Sequence, residues 1–210
     1  MSDSAPPWGD PDESDPSPLF GSLGDATSIL LLGSQMDPTT TDACFGLLEW
    51  TPPSETQVVQ VTYNQSPNWM AKKWEERGSE PPAHLFVVSV DGSSSEASER
   101  PDRVTHRTAR ATDLTGLGIE IQRILEQVAH DEEHTVVCFD SLTALLMYVD
   151  ERVAFRFLRS ILSYVYLADA SIHFHLDPIA HAPATLGVFQ SVVDAVVETD
   201  ETGLIRIVHR

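Results

Sequence analysis

The segment HTVVCFDSLT, residues 134–143, constrains the fold of this 210-residue chain more than any other. Val136, Val137, Cys138 and Phe139 form an unbroken apolar run, the pattern of a strand buried on both faces of a parallel sheet. The run ends on Asp140 and Ser141, so it carries a carboxylate and a hydroxyl to the carboxyl edge of that strand. Open α/β sheets place their ligands at that edge. The remaining question is what else the chain brings there.

Taken in order, the chain alternates strand and helix patterns. Residues 1–25 hold Pro6, Pro7, Pro11, Pro16 and Pro18 among serines and acids with no basic side chain. Such a segment buries too little surface to order itself and reads as a disordered tail, leaving 26–210 as one domain. Ser28 to Gly33 (SILLLG) is the first strand, and a helix with Ala43, Leu47 and Leu48 on one face follows until Pro52 and Pro53 stop it. Gln57 to Tyr63 is the second strand, Pro67 to Arg77 a helix with proline in its first turn, and His84 to Val90 the third strand. Asp91 to Thr112 is polar and reads as loop. Leu114, Leu117, Ile121, Ile124, Leu125 and Val128 recur at helical spacing before the central strand. One long or broken helical region then runs through Ala168. Ser171 to Leu176 is a further strand, Pro183 to Gln190 a short helical stretch, and Val192–Glu198 with Leu204–His209 an antiparallel edge hairpin. This order predicts a doubly wound, mostly parallel α/β sheet.

The formal charge is −19, and Lys72 and Lys73 are the only lysines. Dense carboxylates with so little lysine suit life in molar salt, where the screening length shrinks to about 3 Å and self-repulsion costs little; the alternative is an acidic interaction protein. The same charge disfavours nucleic acid and anionic membranes as partners. No stretch approaches the roughly 20 apolar residues of a membrane span, and the acidic, proline-rich start is unlike a signal peptide. A cytoplasmic protein is the simplest expectation. Cys44 and Cys138, the only cysteines, fall on different elements outside any CxxC motif and read as reduced, packed thiols.

A strand ending in an acid and followed by a helix is also how P-loop ATPases hold magnesium. Their phosphate loop, GxxxxGK[ST], wraps phosphates in backbone N–H groups and bridges them with lysine. Here the eight positions are Gly33, Ser34, Gln35, Met36, Asp37, Pro38, Thr39 and Thr40. Gly33 and Thr40 fit. Pro38 replaces the second glycine and has no N–H, Thr39 replaces the lysine, and Asp37 puts an anion where phosphates sit. Losing one charge-assisted contact costs about 1.5–3 kcal/mol, so an ordinary strand-to-helix turn is the better reading.

SILLLGSQMDPTTTDACFGLL, DLTGLGIEIQRIL and TVVCFDSLTALLMYVD together resemble RecA-fold proteins of the KaiC and GvpD group, in particular lineages abundant in haloarchaea that have lost the phosphate loop. The resemblance covers residues 26–210 and implies a RecA-like doubly wound sheet with a C-terminal antiparallel edge hairpin. It matches Asp140 to the family's metal-holding aspartate, followed by Ser141. It matches Asn64 and Gln65 to the acidic pair that activates water in active relatives. Amides cannot accept that proton.

Three further constellations stand out. His173 and His175 share one face of a strand, with Asp177 just beyond and His181 on the next turn, a set able to bind a transition metal or to be hydrogen-bonded structural histidines. Arg100, Arg103, Arg107 and Arg110 concentrate positive charge in one loop, either to meet an anion, an acidic partner or a neighbouring subunit, or to balance local carboxylates. Arg152, Arg156 and Arg159 lie on one helical face, as an interface or as a solvated stripe.

The expected protein is a non-catalytic RecA/KaiC-like regulator or scaffold working through protein partners or self-association, with no cofactor. The alternative is an ATP-binding protein or slow ATPase that uses magnesium and whose site the Arg100–Arg110 loop completes in trans. A metal-dependent enzyme built on His173, His175 and Asp140 is the third reading.

Overall fold

The computed structural model describes residues 23–49, 51–63, 65, 69–91, 103–200 and 205–209. Most of the expected tail, together with Asn64, Pro67, Arg100 and Leu204, lies outside them.

Eight strands form one sheet in the order β4-β3-β2-β5-β6-β1-β7-β8. β1 is Ser28–Leu32, β2 Thr56–Thr62, β3 His84–Val90 and β4 Val104–Ala109. β5 is His134–Asp140, β6 Ser171–Leu176, β7 Ala195–Thr199 and β8 Ile205–His209. All neighbours pair in parallel except β8, which runs antiparallel to β7. The C-terminal hairpin therefore exists as expected. Of the two hairpin strands only β8 lies at the sheet edge, because β7 also pairs with β1.

Helices cover both faces, as a parallel sheet requires. α3 (Leu114–Val128), the single turn α4 (Leu142–Leu145) and α5 (Glu151–Leu167) pack on one face against Val59, Val61, Phe139 and Phe174. α1 (Pro38–Leu48) and α2 (Trp69–Arg77) pack on the other against Val58, Leu85, Val136 and Cys138. The strict alternation of β5, with Val137 and Phe139 on one side and Val136 and Cys138 on the other, is the pleat of a strand buried twice. On the α1 side Phe45 and Trp74 meet edge to face, centroids 5.0 Å apart, locking the two helices together. A short helix, α6 (Pro183–Gln190), leads into β7.

One expectation changes, and one left open is decided. Residues 104–109, read as loop, form β4, a parallel partner of β3. Its side chains are half-buried or exposed, so it lacks the apolar run that marks the inner strands; polar residues suit an edge strand. The helical region after β5 is broken, since Asp150 restarts the chain as the N-cap of α5, accepting from Val153 N–H at 2.9 Å. Among the described residues no helix is long and apolar enough to cross a membrane.

Candidate functional site

β1 stops at Leu32, and Gly33 takes the chain off the sheet. A β-carbon on Gly33 would collide with the hydroxyls of Thr40 and Thr199, so only glycine fits. The Thr199 hydroxyl donates to the Leu32 carbonyl at 3.3 Å; the buried Thr40 hydroxyl is therefore the donor in the 2.8 Å bond between the two threonines. Asp37 caps α1, its Oδ1 accepting from Thr39 N–H at 2.9 Å and its carbonyl from the N–H groups of Thr40 and Thr41 at 3.1 and 3.3 Å. Pro38 has no N–H to offer. The positive end of this helix is thus already matched by the chain's own carboxylate. Asp37→Ala is expected to cost about 1 kcal/mol (range about 0.5–2), seen as a lower denaturant midpoint.

Asp140 closes β5 on the same face, 8% exposed, and its Oδ1 accepts a hydrogen bond from the Gln35 amide of the β1–α1 turn. Burial dominates its surroundings and raises its pKa above the ordinary carboxylate value. The Asp140–Ser141 peptide is cis. Ser141 caps α4, its Oγ accepting from Ala144 N–H at 3.1 Å. Gln65 N–H donates to Thr62 Oγ1 at 3.0 Å. A cavity of about 20 Å³ lies among Gln35, Thr40, Cys44, Gln65, Asp140 and His175, room for about one water molecule.

Beside this cavity four side chains converge. The ligand atoms of Cys44, Cys138, His173 and His175 all lie within 4.8 Å of one another, and all four residues are buried. The two sulfurs are 3.8 Å apart, Cys44 Sγ is 3.4 Å from His173 Nε2, and Cys138 Sγ is 3.6 Å from His175 Nε2. Sheet register places Cys138 opposite His173, the pleat returns His175 to the same face, and α1 brings Cys44 over both strands. The electrostatics follow from this crowding. The Cys44 thiol is drawn well below its usual pKa, chiefly by its hydrogen bond with Cys138 and against the effect of burial; Cys138 is pushed up by the same bond. Burial opposes protonation of His175, but the Cys44 thiolate outweighs it, with help from Asp140, and lifts His175 to about 9. Chemically this is a two-sulfur, two-nitrogen donor set.

Each residue singled out from sequence now has a place. His173 and His175 do share a face, but their companions are the two cysteines. Asp177 caps the 3₁₀ turn Pro178–Ala180, donates its own N–H to Thr143 Oγ1 at 2.9 Å, and takes no part in the group. His181 Nε2 meets the same Thr143 hydroxyl at 3.2 Å. Asp140 is likewise outside the group. Both cysteines are free and buried, as expected, yet nothing in their local sequence announced that they touch. The clue available was that they are the chain's only two.

The arginines of the expected loop spread along the outer strand. Arg103 precedes β4 at its amino end, Arg107 sits within it 4.0 Å from Glu120, and Arg110 follows it. Arg152, Arg156 and Arg159 are exposed on α5.

The profile of a family described only as "Family of unknown function (DUF7504)" matches residues 26–199. No curated protein matches the chain. Solved structures similar to it include three proteins of Pyrococcus horikoshii. PH0250, known from a structural study, is 12% identical with a TM-score of 0.58 over 90% of this chain and 89% of that one. The KaiC-like protein PH0186 is 17% identical with a TM-score of 0.51 over 88% and 79%. The uncharacterized protein PH0321, solved in complex with an unknown peptide, is 10% identical with a TM-score of 0.56 over 83% and 78%. At these identities the likeness establishes the fold, which is the KaiC-like α/β sheet that the sequence led one to expect.

Proposed function

This chain belongs to the DUF7504 family of unknown function, and from that premise we propose that it is a non-catalytic protein of KaiC-like fold that acts by binding a protein partner. The observation that carries this reading is the β1–α1 turn. The space a phosphate needs is taken by the Asp37 cap, by the threonine pair closed over Gly33, and by Gln35 reaching across to Asp140. Each of these is a bond that a triphosphate would have to break before making its own. The lysine and second glycine of a phosphate loop are Thr39 and Pro38, and the pair that would activate water is Asn64 and Gln65, which cannot act as a base. A lone buried carboxylate is a weak magnesium site.

A partner surface is supported at the same edge. Met36, Met147, Tyr148 and Ile179 are 93%, 83%, 49% and 89% exposed. They stand on the connections leaving β1, β5 and β6, three adjacent strands. Exposed apolar side chains gathered around one rim mark an interaction site, and the Arg152, Arg156 and Arg159 stripe offers a second contact of opposite character. The competing reading, a nucleotide site completed in trans by the Arg100–Arg110 segment, loses support from the dispersal of Arg103, Arg107 and Arg110 along β4.

Titration calorimetry of the untagged chain with Mg-ATP in molar potassium chloride tests the proposal. No binding heat is expected at millimolar nucleotide. A micromolar dissociation constant, or release of phosphate above background, overturns it.

A further inference from the structure

Two cysteines separated by 94 residues, the only ones in the chain, meet two histidines in the buried interior. We infer that Cys44, Cys138, His173 and His175 form a closed tetrahedral metal site whose occupant is zinc(II). This inference is independent of whether the chain binds nucleotide.

The spacing is the first argument. With Zn–S near 2.3 Å and Zn–N near 2.0–2.1 Å, tetrahedral geometry sets the S···S edge at about 3.8 Å and the S···N edges at about 3.5–3.6 Å. The observed S···S edge is 3.8 Å and two S···N edges are 3.4 and 3.6 Å. Packed thiols and imidazoles make contacts of the same length, so the weight falls on the convergence of all four ligand atoms within 4.8 Å of one another, a set that would draw in by about 1 Å at its widest edge to close on zinc. The donor types are the second argument. Two thiolates and two imidazoles in a tetrahedron select zinc over the harder cations that prefer oxygen. Four protein ligands also leave no position for water, so the ion would hold structure rather than activate a nucleophile.

The surroundings supply a third argument. Gln60 is fully buried and neither atom of its amide has a partner among the described residues. Gln57, on the same strand, is bonded to Asp131 and Glu133, so β2 does satisfy its polar side chains where it can. Gln60 lies directly opposite Cys138 in the sheet, and Cys138 lies opposite His173, whose Nδ1 is also buried without a partner. Buried polar groups left unpaired are costly, and here three neighbouring strands concentrate them in one row. A metal-bound Cys138 thiolate, opposite Gln60 in the sheet, would give the Gln60 amide N–H an acceptor that it lacks. Bound zinc would tie α1 to β5 and β6 across the face that the β1–α1 turn overhangs.

The test uses the full chain without a histidine tag. Zinc is measured by atomic emission after exhaustive dialysis, and cobalt(II) is titrated into the metal-free protein. One zinc per chain is expected, together with the thiolate-to-metal charge transfer and intense visible bands of tetrahedral cobalt bound to sulfur. His181→Ala should leave both unchanged, while Gln60→Leu should weaken zinc binding about 10–100-fold, as loss of an outer-shell partner does. Cys44→Ser with Cys138→Ser should abolish the cobalt–sulfur bands. A wild-type chain that gives no such bands at stoichiometric cobalt overturns the site, and this measurement needs no variant to fold. So does zinc that survives in the cysteine double variant or departs in His181→Ala.

Discussion

Replacing Phe139 by alanine is expected to remove about 3–5 kcal/mol of stability, the range for deleting a large buried aromatic. Phe139 is wholly buried in the middle strand of the sheet. Its ring lies 5.6 Å from Phe174 of β6, 6.1 Å from Phe157 of α5 and 6.0 Å from Tyr63. These rings come from β6, α5 and the residue just after β2, so alanine would leave a void where three parts of the core meet. A domain has about 5–15 kcal/mol in total, so the variant would stand close to unfolding. Denaturant melts in high salt read the effect as a lower midpoint with an unchanged slope. A loss below about 1 kcal/mol would mean that this aromatic cluster is not the packed centre.

Asp194→Ala is expected to cost about 2–3 kcal/mol, the upper part of what a set of charge-assisted hydrogen bonds contributes, reduced for its partial exposure. Its Oδ2 accepts from Thr27 N–H at 3.1 Å, Thr27 Oγ1 at 3.2 Å, Ser28 N–H at 2.9 Å and Ser28 Oγ at 2.7 Å. Its own N–H donates to the Ser28 carbonyl at 2.9 Å. One carboxylate thereby fastens the start of β1 to the start of β7. Burial by itself would raise the Asp194 pKa, but the donors of Ser28 and Thr27 outweigh it and the net shift is downward. A carboxylate depressed in the folded state stabilises fully above the unfolded value, near 3.9, and loses that contribution as pH falls through its folded value. The stability gap between the parent and Asp194→Asn should therefore be constant near neutrality and narrow below about pH 4. A gap that widens on acidification would reverse the sign assigned here.

Much of the scaffold was legible because its signals are local. SILLL, HLFVVSV and HTVVCFD are apolar runs of strand length, and the Leu114–Val128 spacing is helical; each needs only near neighbours to be read. β4 escaped because an edge strand has one hydrogen-bonding neighbour and little burial, so VTHRTA carries no apolar pattern. The turn at Asp37 was readable for the same local reason that β1 was: a cap acts on residues two and three positions ahead.

The candidate metal centre was only half legible. His173 and His175 announce a shared face by their spacing, and sequence nearness then suggested Asp177 and His181 as companions. The chain turns at the end of β6, and both of those residues bond to Thr143 instead. By itself the sequence determined a doubly wound parallel sheet, the acid at the end of its central strand, and a turn with Pro38 and Thr39 where a phosphate loop has glycine and lysine, since these follow from side-chain period and residue type. Only the tertiary structure decided that Cys44, Cys138, His173 and His175 meet. Their meeting depends on β5 lying beside β6 with α1 across both. Strand order is set by long-range packing of whole faces, and no short window of sequence encodes it.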